Sequence, residues 1–315
     1  MRTFRLLGAM ALCAMMVPAL TSCGDDDDDK GGDGTGGVVE IEGERLSSVA
    51  GYSFDYDSKG RVTSLSTGYG TIAINYSKGT LEAVGSDNGA DRYKVKFNDK
   101  GYISQLTSSW DETEVDGGDK VQIKGSGTIT FSYNGSGNLT TVTTKMSETE
   151  KDLSDGSTEK YGENSTTKLT WQSGNMVKAV CKVTETEGRY KETYTETFDL
   201  DYSTTANAYR QNPFAISRIV NDDTEWNAFA ACGLFGKGPK TLPMVVSEVD
   251  DDGYTSTSNV SYSLNSVGAI SSERIGYSSY SWYYEDVDSR AVSVVEAPAF
   301  GSTRKFFVKS PRRAK

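Results

Sequence analysis

The sequence predicts an all-β fold: a single large antiparallel up-and-down meander, coiled or barrel-like, with one short helix near residues 222–236. Three observations predict it: a repeated glycine-turn motif, strands with alternating apolar and polar residues, and one interruption with helical spacing. Period-2 alternation is typical of antiparallel strands with one face on a core and one in water. We expect about 12 to 16 strands. A sheet of that size must coil or close, because long free edges are sticky.

The turn motif is an apolar, usually aromatic residue, then polar residues, Gly, one further residue and an aliphatic residue. It occurs at residues 56–62, 97–103, 133–139 and 264–270, and one residue shorter at 76–81 and 171–176. Asp, Asn and Ser start such turns, and Gly takes the positive φ that closes a type I turn with a bulge. Longer hairpins are predicted to turn at residues 116–119, 154–157 and 187–189. Most of the 44 acidic residues are therefore expected at turns or on outward strand positions.

The alternation breaks between residues 206 and 240. Trp226, Phe229 and Leu234 follow helical spacing, after a start rich in capping residues and before glycines and Pro239. This pattern predicts one short amphipathic helix that plugs or flanks the sheet.

The first 22 residues have the pattern of a lipoprotein signal peptide. Arg2 and Arg5 precede an apolar run of signal-peptide length. The tetrapeptide that ends in Cys23 resembles the bacterial lipobox, which implies cleavage before Cys23 and diacylglycerol on its thiol. Two or three acyl chains there would anchor the chain stably to a membrane.

Residues 23–37 are predicted to be a solvated, flexible linker, because five aspartates and several glycines cannot bury apolar surface. The aspartates resemble the acidic tract that directs Bacteroidetes lipoproteins to the outer face of the outer membrane. The resemblance implies a lipid-anchored protein that faces the cell exterior. Residues 38–315 are expected to form a single β-hairpin-repeat domain.

Composition excludes several chemistries. The chain has no histidine, so Ser-His-Asp and Cys-His catalysis are impossible. A net charge of −11 disfavours binding to nucleic acid. Cys181 and Cys232 are either a disulfide or two buried thiols, and they are too few for a typical zinc site. We expect no metal, no cofactor and no enzymatic activity.

The segment Phe54–Leu65 resembles a YD repeat, the unit of the spiral β-shells of Rhs-type proteins. Together with the lipobox and the segment Cys232–Pro243, it resembles a family of uncharacterised Bacteroidetes lipoproteins with a described porin-like fold. The resemblance implies a fold and a location, and no activity. Lysines at positions 94, 96, 178 and 182 occupy the face opposite the apolar stripe, so a lipid-facing band is not expected.

The leading functional hypothesis is a non-enzymatic surface binding or scaffold module for a glycan or protein ligand. Trp110, Tyr280, Trp282 and Tyr283 are candidates for stacking on such a ligand, and the alternative is that these rings belong to the core. A carboxylate-dependent hydrolase acting on polysaccharide is a second hypothesis, although no pair of acids stands out. An adhesin or assembly partner is a third.

Overall fold

The computed structural model describes residues 40–41, 44–67, 70–84, 92–116, 119–220 and 224–286. The first strands are short: β1 (Glu40–Ile41), β2 (Glu44–Val49), β3 (Tyr52–Tyr56), β4 (Val62–Thr67), β5 (Gly70–Asn75), β6 (Thr80–Val84) and β7 (Arg92–Phe97). Six long strands follow: β8 (Ile103–Asp116), β9 (Asp119–Tyr133), β10 (Leu139–Asp152), β11 (Thr158–Gln172), β12 (Asn175–Glu187) and β13 (Tyr190–Ala206). The last elements are α1 (Phe214–Val220), α2 (Thr224–Ala231), β14 (Thr241–Val249), β15 (Thr255–Leu264), β16 (Ile270–Ile275) and β17 (Ser278–Asp286).

The sheet closes on itself. From β2 to β17 each strand pairs antiparallel with the next, and β17 pairs back onto β2, with Trp282 opposite Val49 and Asp286 opposite Glu44. Sixteen of the strands that the structure describes therefore form a closed barrel, and β1 adds a short pairing to β2. The predicted up-and-down meander is confirmed, and closure is how the sheet avoids free edges.

Successive connections alternate between the two ends of the barrel, because neighbouring strands are antiparallel. One end, which we call the plugged end because residues 207–240 fill it, holds the connections at residues 57–61, 76–79, 98–102, 134–138, 173–174, 207–240 and 265–269. The hairpin end holds the connections at residues 50–51, 153–157, 188–189, 250–254 and 276–277. The start of β2 and the end of β17 both lie at the plugged end.

The predicted glycine turns are confirmed, and they line the plugged end. Gly60, Gly101, Gly137 and Gly268 all have φ between 77° and 89°, and a register shift next to each turn marks a bulge. At residues 134–137, Asn134 Oδ1 accepts a hydrogen bond from the Asn138 amide at 2.9 Å, which shapes the turn. The left-handed backbone at Gly137 (φ 85°) would strain a residue with a side chain.

The segment between β13 and β14, residues 207–240, fills the plugged end, and we call it the plug. Most of its described residues are buried, and Trp226 stacks on Phe235 at 4.3 Å and lies 5.2 Å from the Phe131 ring on β9. The helix expected within residues 222–236 is present as α2. A second helix, α1, was not predicted. It is short, and three of its seven residues are β-branched, which lowers its helix propensity. Pro213 precedes it, and Pro suits the first turn of a helix.

Main-chain hydrogen bonds fix this plug to the barrel wall. The Lys237 amide donates to the Gly137 carbonyl at 2.9 Å, and the Ile103 amide donates to the Leu234 carbonyl at 2.9 Å. Asn138 Nδ2 donates to the Lys237 carbonyl at 2.9 Å. The plug is therefore continuous with the wall in both packing and hydrogen bonding.

Cys181 and Cys232 are buried thiols that form no disulfide, so the buried-thiol alternative is the correct one. Burial raises the pKa of each thiol to about 12. The predicted signal peptide, Cys23 and the acidic linker lie outside the described residues, and those predictions stay predictions.

Candidate functional site

The four candidate stacking residues do not form one site. Trp110 on β8 is 6% exposed and Trp282 on β17 is 2% exposed, so neither offers a free ring. Tyr280 is half-buried against the core, and Tyr283 is 60% exposed on the outer wall. The stacking hypothesis requires an exposed ring, and of the four candidates Tyr283 alone has one.

Tyr280 and Trp282 pack against the plug. Their rings lie 4.6 Å and 5.8 Å from the Phe214 ring at the start of α1. Arg218 Nη1 also donates to the Tyr280 hydroxyl at 3.3 Å. The alternating strand sends positions 280 and 282 inward and 283 outward, which is why neighbours in sequence have separate environments.

The Trp110 ring lies against a glycine, Gly125, on the neighbouring strand. A Cβ at Gly125 would come within 2.3 Å of the indole ring, so the contact requires glycine there. The indole Nε1 donates to Glu148 Oε2 at 2.8 Å in a buried hydrogen bond. Trp110 therefore positions a carboxylate inside the barrel.

Glu148 belongs to a set of carboxylates that the strand register directs inward at the hairpin end. Tyr161 lies opposite Glu148, and Phe198 lies opposite Glu248, which ties these positions to the buried face. We call this set the acidic face, and its members are Glu112, Glu148, Glu150, Asp152, Glu159, Glu163, Glu185, Glu187, Glu192, Glu196 and Glu248.

The sequence analysis did not single out these inward carboxylates among the 44 acidic residues. In β10 to β12 the lysines point outward instead: Lys145, Lys151, Lys160, Lys168, Lys178 and Lys182. The phase of the alternation decides this arrangement, since Val142 and Met146 point inward and Glu148 and Glu150 continue the same row. The inward position of these glutamates could have been predicted from the sequence by continuing the alternation from the apolar half of β10 into its acidic half.

Along β11 and β13, the exposure of these carboxylates falls from the tip of the hairpins towards the core. Glu159 and Glu192 are exposed, Glu185 and Glu196 are half-buried, and Glu163 is only 1% exposed. These carboxylates therefore extend from solvent to a buried position, and their negative charge attracts cations.

Two tyrosines lie among these carboxylates. The Tyr161 hydroxyl donates to Glu159, and the Tyr194 hydroxyl donates to Glu185 Oε1 at 3.2 Å. Burial, and then the neighbouring glutamates, raise the pKa of both phenols well above the usual value. Both groups stay protonated and donate hydrogen bonds at neutral pH.

Ser165 lies on the same inward row of β11, two residues from Glu163. It is 2% exposed, and its hydroxyl has no hydrogen-bond partner among the described residues. Buried hydroxyls are normally paired, so this group marks a polar position at the floor of the acidic face. Within the described ranges, no three metal-ligating side chains converge as they would around a metal ion.

Glu273 is a separate buried carboxylate, and it holds the plug. Its oxygens accept hydrogen bonds from the Phe214 and Ala215 amides at 2.7 and 2.8 Å, and from the Tyr262 hydroxyl at 3.3 Å. Burial raises the pKa of Glu273 to about 7, against the lowering effect of these bonds. The group is structural, because it joins α1 to β16.

The chain is similar to proteins that are described as porin-like. Residues 54–272 match the model of a family described as a domain of unknown function (DUF4595) with porin-like fold. The crystal structure of a porin-like protein from Bacteroides vulgatus is 12% identical, covering 76% of this chain and 97% of that chain, with a TM-score of 0.47. A porin-like protein from Bacteroides uniformis is 19% identical, covering 79% and 93%, with a TM-score of 0.43. No curated protein matches the chain.

Proposed function

This chain belongs to the DUF4595 family of domains of unknown function with a porin-like fold, and from that premise we propose that it is a non-enzymatic binding module of the cell envelope. In this proposal a lipid on Cys23 tethers it to the outer membrane, and the barrel faces the cell exterior. The hairpin end recognises a glycan or protein ligand.

The direction of the barrel supports this arrangement. Chain order places residues 1–39 ahead of β1, and β2 starts at the plugged end. A lipid on Cys23 would therefore hold the plugged end nearest to the membrane. The hairpin end, with the longest strands, would then be presented away from the membrane.

The outer wall supports a tethered barrel over one inserted in lipid. The outward positions of β10, β11 and β12 carry mainly threonine and lysine, such as Thr143, Lys145, Thr166, Lys168 and Lys182. A lipid-facing strand needs a continuous apolar band there.

No helix within the described ranges has the length and apolar character needed to cross a membrane.

The observation that carries the recognition role is the placement of exposed aromatic rings. Tyr190, Tyr254 and Tyr277 are each more than two-thirds exposed, and all lie in or beside turns of the hairpin end. Exposed tyrosines offer a flat apolar face and a polar hydroxyl, which suit both sugar rings and protein surfaces.

A glycan array probed with the chain from residue 38 onward tests this role. We expect binding that is lost when Tyr190, Tyr254 and Tyr277 are all changed to Ser, while Tyr283→Ser on the outer wall serves as the matched control. Loss of binding only in Tyr283→Ser would move the recognition surface to the wall. If no glycan binds, cross-linking on intact cells from a photoreactive residue at position 277 tests the protein ligand, and failure of both rejects the role.

Two features support the non-enzymatic part of the proposal. The sequence has no histidine, and both buried thiols have a pKa of about 12, so neither supplies a nucleophile at neutral pH. A hydrolase would have to use carboxylates. Turnover of a polysaccharide that vanished on changing one member of the acidic face would establish the hydrolase instead.

The tether is tested separately. Wild-type chain should incorporate labelled fatty acid and sediment with the outer membrane, while Cys23→Ser should do neither. External protease should cleave the wild-type protein on intact cells. Protection until the cells are lysed would place it on the periplasmic side.

A further inference from the structure

We propose that the acidic face is a binding site for a linear organic polyamine, a slender cation with several ammonium groups that enters from the hairpin end. The site lies on the inward face of the barrel wall. Of the three exposed tyrosines, Tyr190 lies beside it, opposite Glu187, while Tyr254 and Tyr277 lie at other turns. The inference concerns the inward carboxylates and does not rest on the glycan or protein ligand proposed above.

Charge is the first argument. The inward positions that the structure describes on β8 to β13 include many glutamates and neither lysine nor arginine. Several glutamates lie directly opposite each other on paired strands, as do Glu163 and Glu185, and Glu150 and Glu159. Like charges in that position destabilise a sheet, and the cost rises with burial. A bound cation would remove this repulsion.

The distribution of the carboxylates selects the kind of cation. The described residues bring no three metal ligands together, so a compact metal ion is a poor match. The carboxylates repeat across strands about 4.8 Å apart and along strands at alternate residues, about 6.6 Å apart. Ammonium groups separated by three or four methylenes are dispersed on a similar scale, and the methylenes suit the interspersed apolar residues.

The floor of the site supplies an independent observation. Ser165 is 2% exposed, and its hydroxyl has no partner among the residues described, although it shares the inward row with Glu163. Such a hydroxyl can accept a hydrogen bond from an ammonium group. The Tyr161 and Tyr194 rings lie in the same rows of the sheet, where aromatic faces favour cations.

Calorimetric titration of the chain from residue 38 onward with spermine, at about 0.15 M salt, tests the proposal. We expect saturable binding of one spermine per chain. The triple variant Glu163→Gln, Glu185→Gln, Glu196→Gln should bind at least about tenfold more weakly. The control Asp111→Asn, Asp199→Asn, Asp201→Asn removes the same charge from the outer wall and should bind within about twofold of wild type.

Each alternative outcome is decisive. Equal weakening in the two triple variants means that spermine only condenses on an acidic protein, and this overturns the proposal. So does the absence of saturable binding, or equal competition by magnesium at the same concentration. Thermal unfolding confirms that each variant folds. Ser165→Ala supplies a second test, because it should weaken spermine binding without lowering the unfolding temperature.

Discussion

The two ends of the barrel are built from the same strands, yet their interiors have opposite chemistry. At the plugged end the inward residues are apolar, and residues 207–240 cover them through ring stacking and main-chain hydrogen bonds. At the hairpin end the same inward rows continue as glutamates. The plugged end therefore stabilises the fold, whereas the inward charge at the hairpin end does not contribute to its stability.

The largest expected effect is at the plug. Trp226 is fully buried between Phe131 and Phe235, so Trp226→Ala should lower the free energy of unfolding by about 3–5 kcal/mol. Tyr277→Ala, at a fully exposed turn of the hairpin end, is the matched control and should change it by less than about 0.5 kcal/mol. Equal effects in urea unfolding would mean that the two ends do not differ.

The second effect is a pH dependence specific to the plugged end. The pKa of Glu273 is about 7 in the folded chain, against 4.5 for an unperturbed glutamate side chain. The stability that this group contributes is therefore fully present below about pH 4.5 and is lost as pH rises through about 7. The free energy of unfolding of the wild type should therefore fall by about 3 kcal/mol over this pH range because of Glu273. Glu273→Gln should lack this part of the pH dependence. Urea unfolding of both proteins from pH 5 to pH 8 measures it, and parallel slopes would contradict it.

The third effect has the opposite sign at the other end. Glu185→Gln removes a charge opposite Glu163 but keeps an acceptor for the Tyr194 hydroxyl. It should raise the free energy of unfolding at pH 8 by about 0.2–1 kcal/mol. Asp201→Asn on the outer wall should leave it unchanged. A loss of stability in Glu185→Gln would show that its charge supports the fold.

The smallest effect concerns thiol reactivity. Cys181 lies opposite Glu196 in the wall, while Cys232 lies in the plug. Both have a pKa of about 12, so neither should react readily at pH 8 in the native state. If the hairpin end opens more easily, Cys181 should be modified before Cys232. Mass spectrometry after timed labelling gives the order, and the reverse order would assign easier opening to the plug.

The sequence predicts the strands and turns of the barrel, but not which side chains point into it at the hairpin end. The turn glycines and the alternating strands predict the meander, because Gly137 and its equivalents have a local conformational role. The inward glutamates were not singled out, because the hairpin-end halves of these strands consist mainly of Thr, Glu and Lys. Only the apolar residues in the other half of a strand, such as Val142 and Met146 in β10, set its phase. The sequence could not decide whether the Trp110 and Trp282 rings are exposed, because the residues that cover them come next to them only when the barrel closes. Closure depends on β17 meeting β2, more than 230 residues apart.

The central claim is that the plugged end stabilises the fold while the hairpin end carries the inward charge that binds a polyamine. Hydrogen–deuterium exchange with and without spermine tests this claim most directly. Without spermine, amides of the plug and of the 134–137 turn should exchange most slowly, and the tips of β10 to β13 faster. Spermine should slow exchange across residues 158–165 and 183–196 and leave residues 207–240 unchanged. Uniform protection along the chain, or protection centred on the plug, would contradict the account.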